Sequence, residues 1–107
     1  MEFLSELEPT EIWERLDKRA YHWDRKEERL AHWNDYGFFY KKLSGNTFKI
    51  VYTRGHGYYD AMIVAIQEQS SGSLLIARTP WFHKNSEQND AVDIIKIHLL
   101  KRYDSLR

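Results

Sequence analysis

The turn formed by residues 54–57 carries residue types that suit the binding of an anion. Arg54 and His56 alternate there with Gly55 and Gly57. Two glycines leave the backbone free to point N–H groups at one spot, and the two basic side chains add charge. These four residues are therefore candidates for binding an anion such as phosphate. We favour the alternative interpretation, an ordinary turn, because the spacing matches no nucleotide-binding fingerprint and no helix follows.

The same turn also offers residues for acid–base catalysis. His56 is placed to act as a general base with Asp60 to orient it, and Tyr58 and His83 also fall at strand ends or in loops. His56 and Asp60 flank one turn, however, so chain connectivity alone brings them close together. A small hydrolase-like enzyme at residues 54–60 is therefore our third interpretation. No residue is assigned a catalytic role, and the sequence favours binding over catalysis.

The sequence predicts neither a metal site nor a cofactor. It contains five His and no Cys, which excludes disulfides, thiol nucleophiles and thiolate zinc sites. His22 and His32 are ten residues apart, so on one helix they would lie about 15 Å apart along the axis. No pair of histidines has the i,i+3 or i,i+4 spacing of metal ligands on a helix.

Aromatic and basic residues are interleaved in the middle of the chain, a pattern typical of platforms for single-stranded nucleic acids. Phe39 and Tyr59 would stack on bases, and Lys41 and Lys49 would contact phosphates. Residues 36–86 carry six basic and two acidic side chains, a net charge of +4, whereas the whole chain has a net charge of zero. The neutral chain gives no general attraction to nucleic acid, and the RNA-recognition-motif consensus is absent. A nucleic-acid-binding module is therefore our second interpretation.

The interpretation that we favour is a protein-binding module with a regulatory or adaptor role. Aromatic side chains anchor protein interfaces, although the same rings also fill cores. The predicted partner-binding residues lie on one sheet face and in one loop, and they are Phe39, Lys41, Lys49, Tyr59, Trp81, Phe82, His83 and Lys84. We predict that this surface binds another protein or a second copy of the chain.

The pattern of apolar residues predicts a single α+β domain covering residues 1–107. Leu16, Ala20 and Trp23 recur at helical spacing, whereas Phe48 and Ile50 alternate with polar residues as in a half-buried strand. Ser5 and Glu8 have capping-box spacing, and Pro9 suits a first helical turn. The predicted elements are a helix at about 10–33, strands at about 38–43, 47–53, 58–69 and 73–79, and a helix at about 86–103.

These elements predict a four-stranded antiparallel meander flanked by two helices, in the order α-β-β-β-β-α. Short connections between consecutive strands favour hairpins. Two helices on one face would leave apolar side chains of the opposite face uncovered. We expect that opposite face to contain Phe39, Val51, Tyr59, Ile63 and Leu75. One helix on each face would instead bury both faces and leave no site.

The sequence predicts a cytoplasmic protein that does not enter a membrane. Its longest apolar stretch, residues 61–66, is far too short to span a bilayer. The acidic N-terminal residues lack the basic and apolar regions of a signal peptide. The absence of cysteine is compatible with a reducing compartment.

Overall fold

The computed structural model describes residues 1–24, 38–54, 57–80 and 86–103 of the chain. These residues form five strands and two helices. In chain order they are β1 (Glu2–Ser5), α1 (Pro9–Asp24), β2 (Phe38–Leu43), β3 (Thr47–Arg54), β4 (Gly57–Glu68), β5 (Ser73–Arg78) and α2 (Ser86–His98). The predicted α+β class with an antiparallel sheet is confirmed.

The sheet has five strands in the order β1-β5-β4-β3-β2, one more than predicted. Strands β2 to β5 follow one another as a meander, and β1 pairs with β5 at the edge. Strand β1 was not predicted, because its four residues are too few to show alternation and Ser5 matches the pattern of a helix cap. In the structure, the Ser5 hydroxyl donates instead to the carbonyl oxygen of Leu99 at 2.5 Å.

The residues at the start of helix α1 are ones that favour a helix N-terminus. Pro9 takes the first helical position, where its missing N–H carries no cost. The Glu11 carboxylate accepts the backbone N–H of Glu8 at 2.9 Å, which is half of a capping box. Ile12 and Leu16 then point into the core and are fully buried. The helix is described to Asp24, and the predicted continuation to residue 33 lies outside the described residues.

Helix α2 ends at His98, five residues before the predicted end at 103. Backbone and side-chain donors from the beginning of the chain form hydrogen bonds with the carbonyl oxygens of residues 98–102. The Arg15 guanidinium donates to the carbonyl oxygen of His98 at 2.7 Å and to that of Arg102 at 2.9 Å. The backbone N–H of Glu6 donates to the Leu100 carbonyl at 2.8 Å. These contacts stabilise residues 99–103 as bends, which compensates for the lost helical hydrogen bonds.

Both helices pack on the same face of the sheet. Phe48 and Ile50 on β3 belong to one buried cluster with Leu16 of α1 and with Ile94 and Ile95 of α2. The alternate side chains of the strands point to the other side, which neither α1 nor α2 covers. We call this side the open face. Its residues are Glu2, Leu4, Phe39, Lys41, Leu43, Thr47, Lys49, Val51, Asp60, Ile63, Ala65, Gln67, Leu74, Ile76 and Arg78.

Candidate binding face

Three cationic side chains of the open face lie on one line across four strands. Lys41 of β2 pairs with Lys49 of β3, Lys49 pairs with Ile63 of β4, and Ile63 pairs with Arg78 of β5. Neighbouring strands are about 4.8 Å apart, so this line spans about 14 Å. Lys41 and Arg78 at its two ends are exposed, whereas the Lys49 side chain is 24% exposed. We call these four residues the basic row.

Lys49 is held in place by a carboxylate of the neighbouring strand. Its Nζ lies 3.2 Å from Oδ1 of Asp60. Two lysines directly opposite each other repel, so the position of Asp60 offsets the pairing of Lys41 with Lys49. The ion pair is partly exposed and contributes no more than about 1 kcal/mol to stability. Its main effect is to orient Lys49 within the open face.

A groove of about 440 Å³ lies beside the basic row. Phe39 and Val51 occupy opposite positions on β2 and β3, and both are at least half-buried. They give the groove an apolar floor with a charged rim. The lining residues are Phe39, Tyr40, Lys41, Lys49, Val51 and Asp60. The structure thus brings together three of the four predicted face residues, Phe39, Lys41 and Lys49.

Tyr59, the fourth predicted face residue, lies on the side of the sheet that carries the helices. Ile50 pairs with Met62 but the next residue, Val51, pairs with Asp60, so Ala61 is an extra residue in β4. This β-bulge reverses the direction of the side chains that precede it in β4. Tyr59 consequently lies opposite Tyr52, with ring centroids 5.6 Å apart. The predicted position of Tyr59 rests on unbroken alternation along β4, and the expectation that this residue lies on the open face was wrong.

Leu75 was also expected on the open face, but it is fully buried beneath the helices. Both of its neighbours in β5, Leu74 and Ile76, take the open face instead. The sequence of β5 does not show which residues face the helices, because β5 is apolar on both sides and leucine and isoleucine suit either face. Asp60, considered at first only as a partner for His56, proves to be part of the groove.

An apolar patch at the opposite edge of the open face was not predicted. Leu4 of β1 pairs with Leu74 of β5, and Ile76 is the next residue of β5 on the same face. Leu4 is 77% exposed and Ile76 is 39% exposed. We call Leu4, Leu74 and Ile76 the apolar patch. The apolar patch exists only when β1 pairs with β5, so it could not be predicted without β1.

Several predicted site residues lie outside the described part of the chain. These residues are Gly55, His56, Trp81, Phe82, His83 and Lys84. Arg54 and Gly57 are described as backbone, and they pair with each other at the end of the β3–β4 hairpin. The predicted anion site and the predicted aromatic loop therefore stay predictions.

Within the described residues, no three or more His, Asp or Glu side chains lie close enough together to hold a metal ion. No described helix is both long enough and apolar enough to cross a membrane.

A second groove, of about 420 Å³, lies at the β1 edge, where charged groups neutralise one another. Lys101 Nζ lies 3.6 Å from a Glu6 oxygen, and Arg102 Nη1 lies 2.6 Å from Glu11 Oε2. A hydrogen bond from the Arg102 backbone N–H, helped by the charges of Lys101 and Arg102, lowers the pKa of Glu6. A hydrogen bond from the Glu8 N–H, helped by the Arg102 charge, lowers the pKa of Glu11. This cluster joins the two ends of the described chain.

Comparison of the chain with protein-family models, with curated proteins and with solved structures finds no match.

Proposed function

We propose that this protein acts by association, with the open face of its sheet as the docking surface for another protein. The observation that carries this proposal is that, in the part of the chain that the structure describes, both helices pack on one face and neither covers the apolar patch or the groove. Exposed apolar side chains that lie together on a sheet usually meet a partner, because their burial is favourable at roughly 25 cal/mol per Å².

The arrangement of the open face suits a protein partner. The groove combines an apolar floor, formed by Phe39 and Val51, with the charged side chains of Lys41, Lys49 and Asp60. Protein interfaces have this composition, with an apolar centre and a polar rim. Residues 81–84 lie outside the described part of the chain, so the open face alone supports this role.

The open face gives less support to nucleic-acid binding. Sheet platforms of RNA-binding modules stack two or three bases on aromatic rings. Of the two rings predicted to stack, only Phe39 lies on the open face, because the bulge at Ala61 turns Tyr59 to the other side. The basic row is the one feature that favours this second candidate.

A small hydrolase-like enzyme at residues 54–60 has the least support. Asp60, the residue proposed to orient His56, forms an ion pair with Lys49. We place the binding role in the cytoplasm, which agrees with a chain that contains no cysteine.

Site-specific photo-crosslinking tests the proposed docking surface. A photo-crosslinking amino acid at Ile76, on the open face, is compared with the same amino acid at Glu14, an exposed position on α1. We expect a discrete protein adduct from Ile76 and none from Glu14, in cells that normally contain the protein. The mass of the adduct distinguishes a second copy of the chain from a different protein.

If position 76 and a second open-face position, Leu4, both give no adduct, the proposal is wrong. Equal adducts from position 76 and position 14 would also contradict it, since the reaction would then not depend on the face.

A further inference from the structure

We infer that the partner docks an acidic segment of its chain on the open face, with carboxylates over the basic row and apolar side chains beside them. This inference rests on the proposed docking function and specifies the chemistry of the partner. The observation behind it is the alignment of Lys41, Lys49 and Arg78 on one line of the sheet.

The charge balance of the open face favours an anionic partner. It carries three cations and two carboxylates, those of Glu2 and Asp60. Asp60 already pairs with Lys49, which leaves the two ends of the basic row, Lys41 and Arg78, exposed to solvent. Glu2 of β1 pairs with Ile76 of β5, and Arg78 is two residues after Ile76. Glu2 and Arg78 are therefore diagonal neighbours, about 7 Å or more apart.

The residues around the basic row favour a protein segment that also carries apolar side chains. Ile63 lies within the row, between Lys49 and Arg78. Paired residues of neighbouring strands also form lines parallel to the basic row. The line on one side of the row contains Val51. The line on the other side contains Ala65 and Ile76, which pair with each other. A segment that alternates carboxylates with apolar side chains would form ion pairs with the cations of the basic row and would also cover these apolar residues. Partly desolvated charges attract more strongly than charges in water, because the effective dielectric constant is lower.

A second copy of the chain fits this surface poorly. The open face of another copy would offer Asp60, which Lys49 engages, and Glu2 at the sheet edge. Glu6 and Glu11, two further carboxylates near the beginning of the chain, are engaged by Lys101 and Arg102. We therefore infer a partner of different sequence. A single-stranded nucleic acid would supply anions, but among the side chains that the structure describes on this face Phe39 is the one aromatic ring on which a base could stack.

The inference can be tested with short peptides on the purified full chain. An extended peptide of three Glu-Glu-Leu-Leu repeats presents alternating carboxylates and leucines on each side. The matched control peptide has Gln in place of every Glu, and oligo-dT serves as the nucleic-acid probe. Fluorescence anisotropy of the labelled probes, at low and at high salt, measures the binding. We expect binding of the Glu peptide that weakens with salt, and weaker binding of the Gln peptide.

Charge-reversal variants locate the contact. Lys41→Glu combined with Arg78→Glu should weaken binding of the Glu peptide at least about tenfold, because two attractions become repulsions. Lys18→Glu, at an exposed position on α1, is the matched control and should change the affinity less than about twofold. The double variant should fold normally, since both positions are exposed and a glutamate opposite Lys49 forms a favourable cross-strand pair. It should also gain affinity for a peptide of Lys-Lys-Leu-Leu repeats.

Four results would overturn this inference, and the first three concern the Glu peptide and oligo-dT. They are no binding of the Glu peptide at low salt, equal affinity of the wild type and the double variant for it, and tighter binding of oligo-dT than of the Glu peptide. If the Glu and Gln peptides bind equally while the adduct from Ile76 is retained, the acidic partner is wrong and the docking face stands. If positions 76 and 4 both give no adduct as well, the proposed function fails too.

Discussion

The close approach of Gly72 to β1 leads to the sharpest prediction about stability. Gly72 has φ = +86°, and a Cβ atom there would overlap the carbonyl oxygen of Ser5 and lie 3.3 Å from its carbonyl carbon. Gly45, in the β2–β3 turn, has a similar φ of +69°, but a Cβ atom there would have no neighbour within 4 Å. Alanine at the two positions therefore meets the same backbone strain, and only Gly72→Ala adds a steric clash.

The two variants should differ by about 2–3 kcal/mol in their free energy of unfolding. An L-residue at positive φ costs roughly 1–2 kcal/mol, and the stiffer unfolded chain returns about 0.4–1 kcal/mol of this. We expect Gly45→Ala to destabilise the protein by about 1 kcal/mol. In Gly72→Ala the end of β1 must also move away from the β4–β5 turn. That movement disturbs the hydrogen bonds from the Ser5 hydroxyl to Leu99, from the Leu7 N–H to Ser5 and from the Gly72 N–H to Glu8.

Each of these three bonds contributes about 1 kcal/mol, so Gly72→Ala should cost about 3–4 kcal/mol in total. Urea denaturation of both variants measures the difference directly. Thermal unfolding should give the same order, with Tm falling by about 4–8 °C for each kcal/mol in a domain of this size. If the two variants agree within about 0.5 kcal/mol, the packing of β1 against Gly72 is not what fixes this edge of the sheet.

Two further predictions concern the contacts between the beginning and the end of the described chain. Arg15→Met should lower the free energy of unfolding by about 1–2 kcal/mol in urea, because the guanidinium donates to the carbonyl oxygens of His98 and Arg102. Glu14→Gln, next to it and exposed, is the control, and a loss no larger than in this control would refute the role of Arg15. The second prediction concerns pH. The folded protein lowers the pKa of Glu6 and of Glu11 below the ordinary value of 4.5, so their contribution to stability is present above that pH and is lost as pH falls through the lowered values. Urea midpoints should therefore fall below about pH 4.5, and Glu6→Gln with Glu11→Gln should flatten this part of the profile; an unchanged slope in the double variant would contradict the assignment.

The parts of the fold that follow from local pattern could be predicted from the sequence. The turn at Gly45 is an example, since a glycine between two alternating runs signals a hairpin, and its positive φ is the conformation that glycine allows. Pro9 similarly indicated the start of α1, because proline suits the first helical position. Strand β3 has enough alternating residues for its period to be recognised, and β4 and β5 are recognisable as apolar runs between turn residues.

The features that the sequence could not predict depend on contacts between distant residues. Strand β1 exists because Glu2–Ser5 pairs with β5, more than sixty residues away along the chain. The end of α2 at His98 depends on Arg15, and nothing in the sequence near His98 signals it. The bulge at Ala61 left no pattern in β4, where apolar residues fill both faces, and this one residue moved Tyr59 off the open face.

The open face is a consequence of the way in which the two helices are tied to each other. Arg15 of α1 binds the carbonyl oxygens at the end of α2, and Arg102, just after α2, pairs with Glu11 in the first turn of α1. With α1 and the end of α2 joined on one side of the sheet, α2 cannot cover the opposite side without breaking both contacts. Within the described residues, the two helices therefore leave the apolar patch and the basic row uncovered. If the open face docks a partner as proposed, binding there needs no rearrangement of the two helices, so the affinity should not be reduced by a cost of opening.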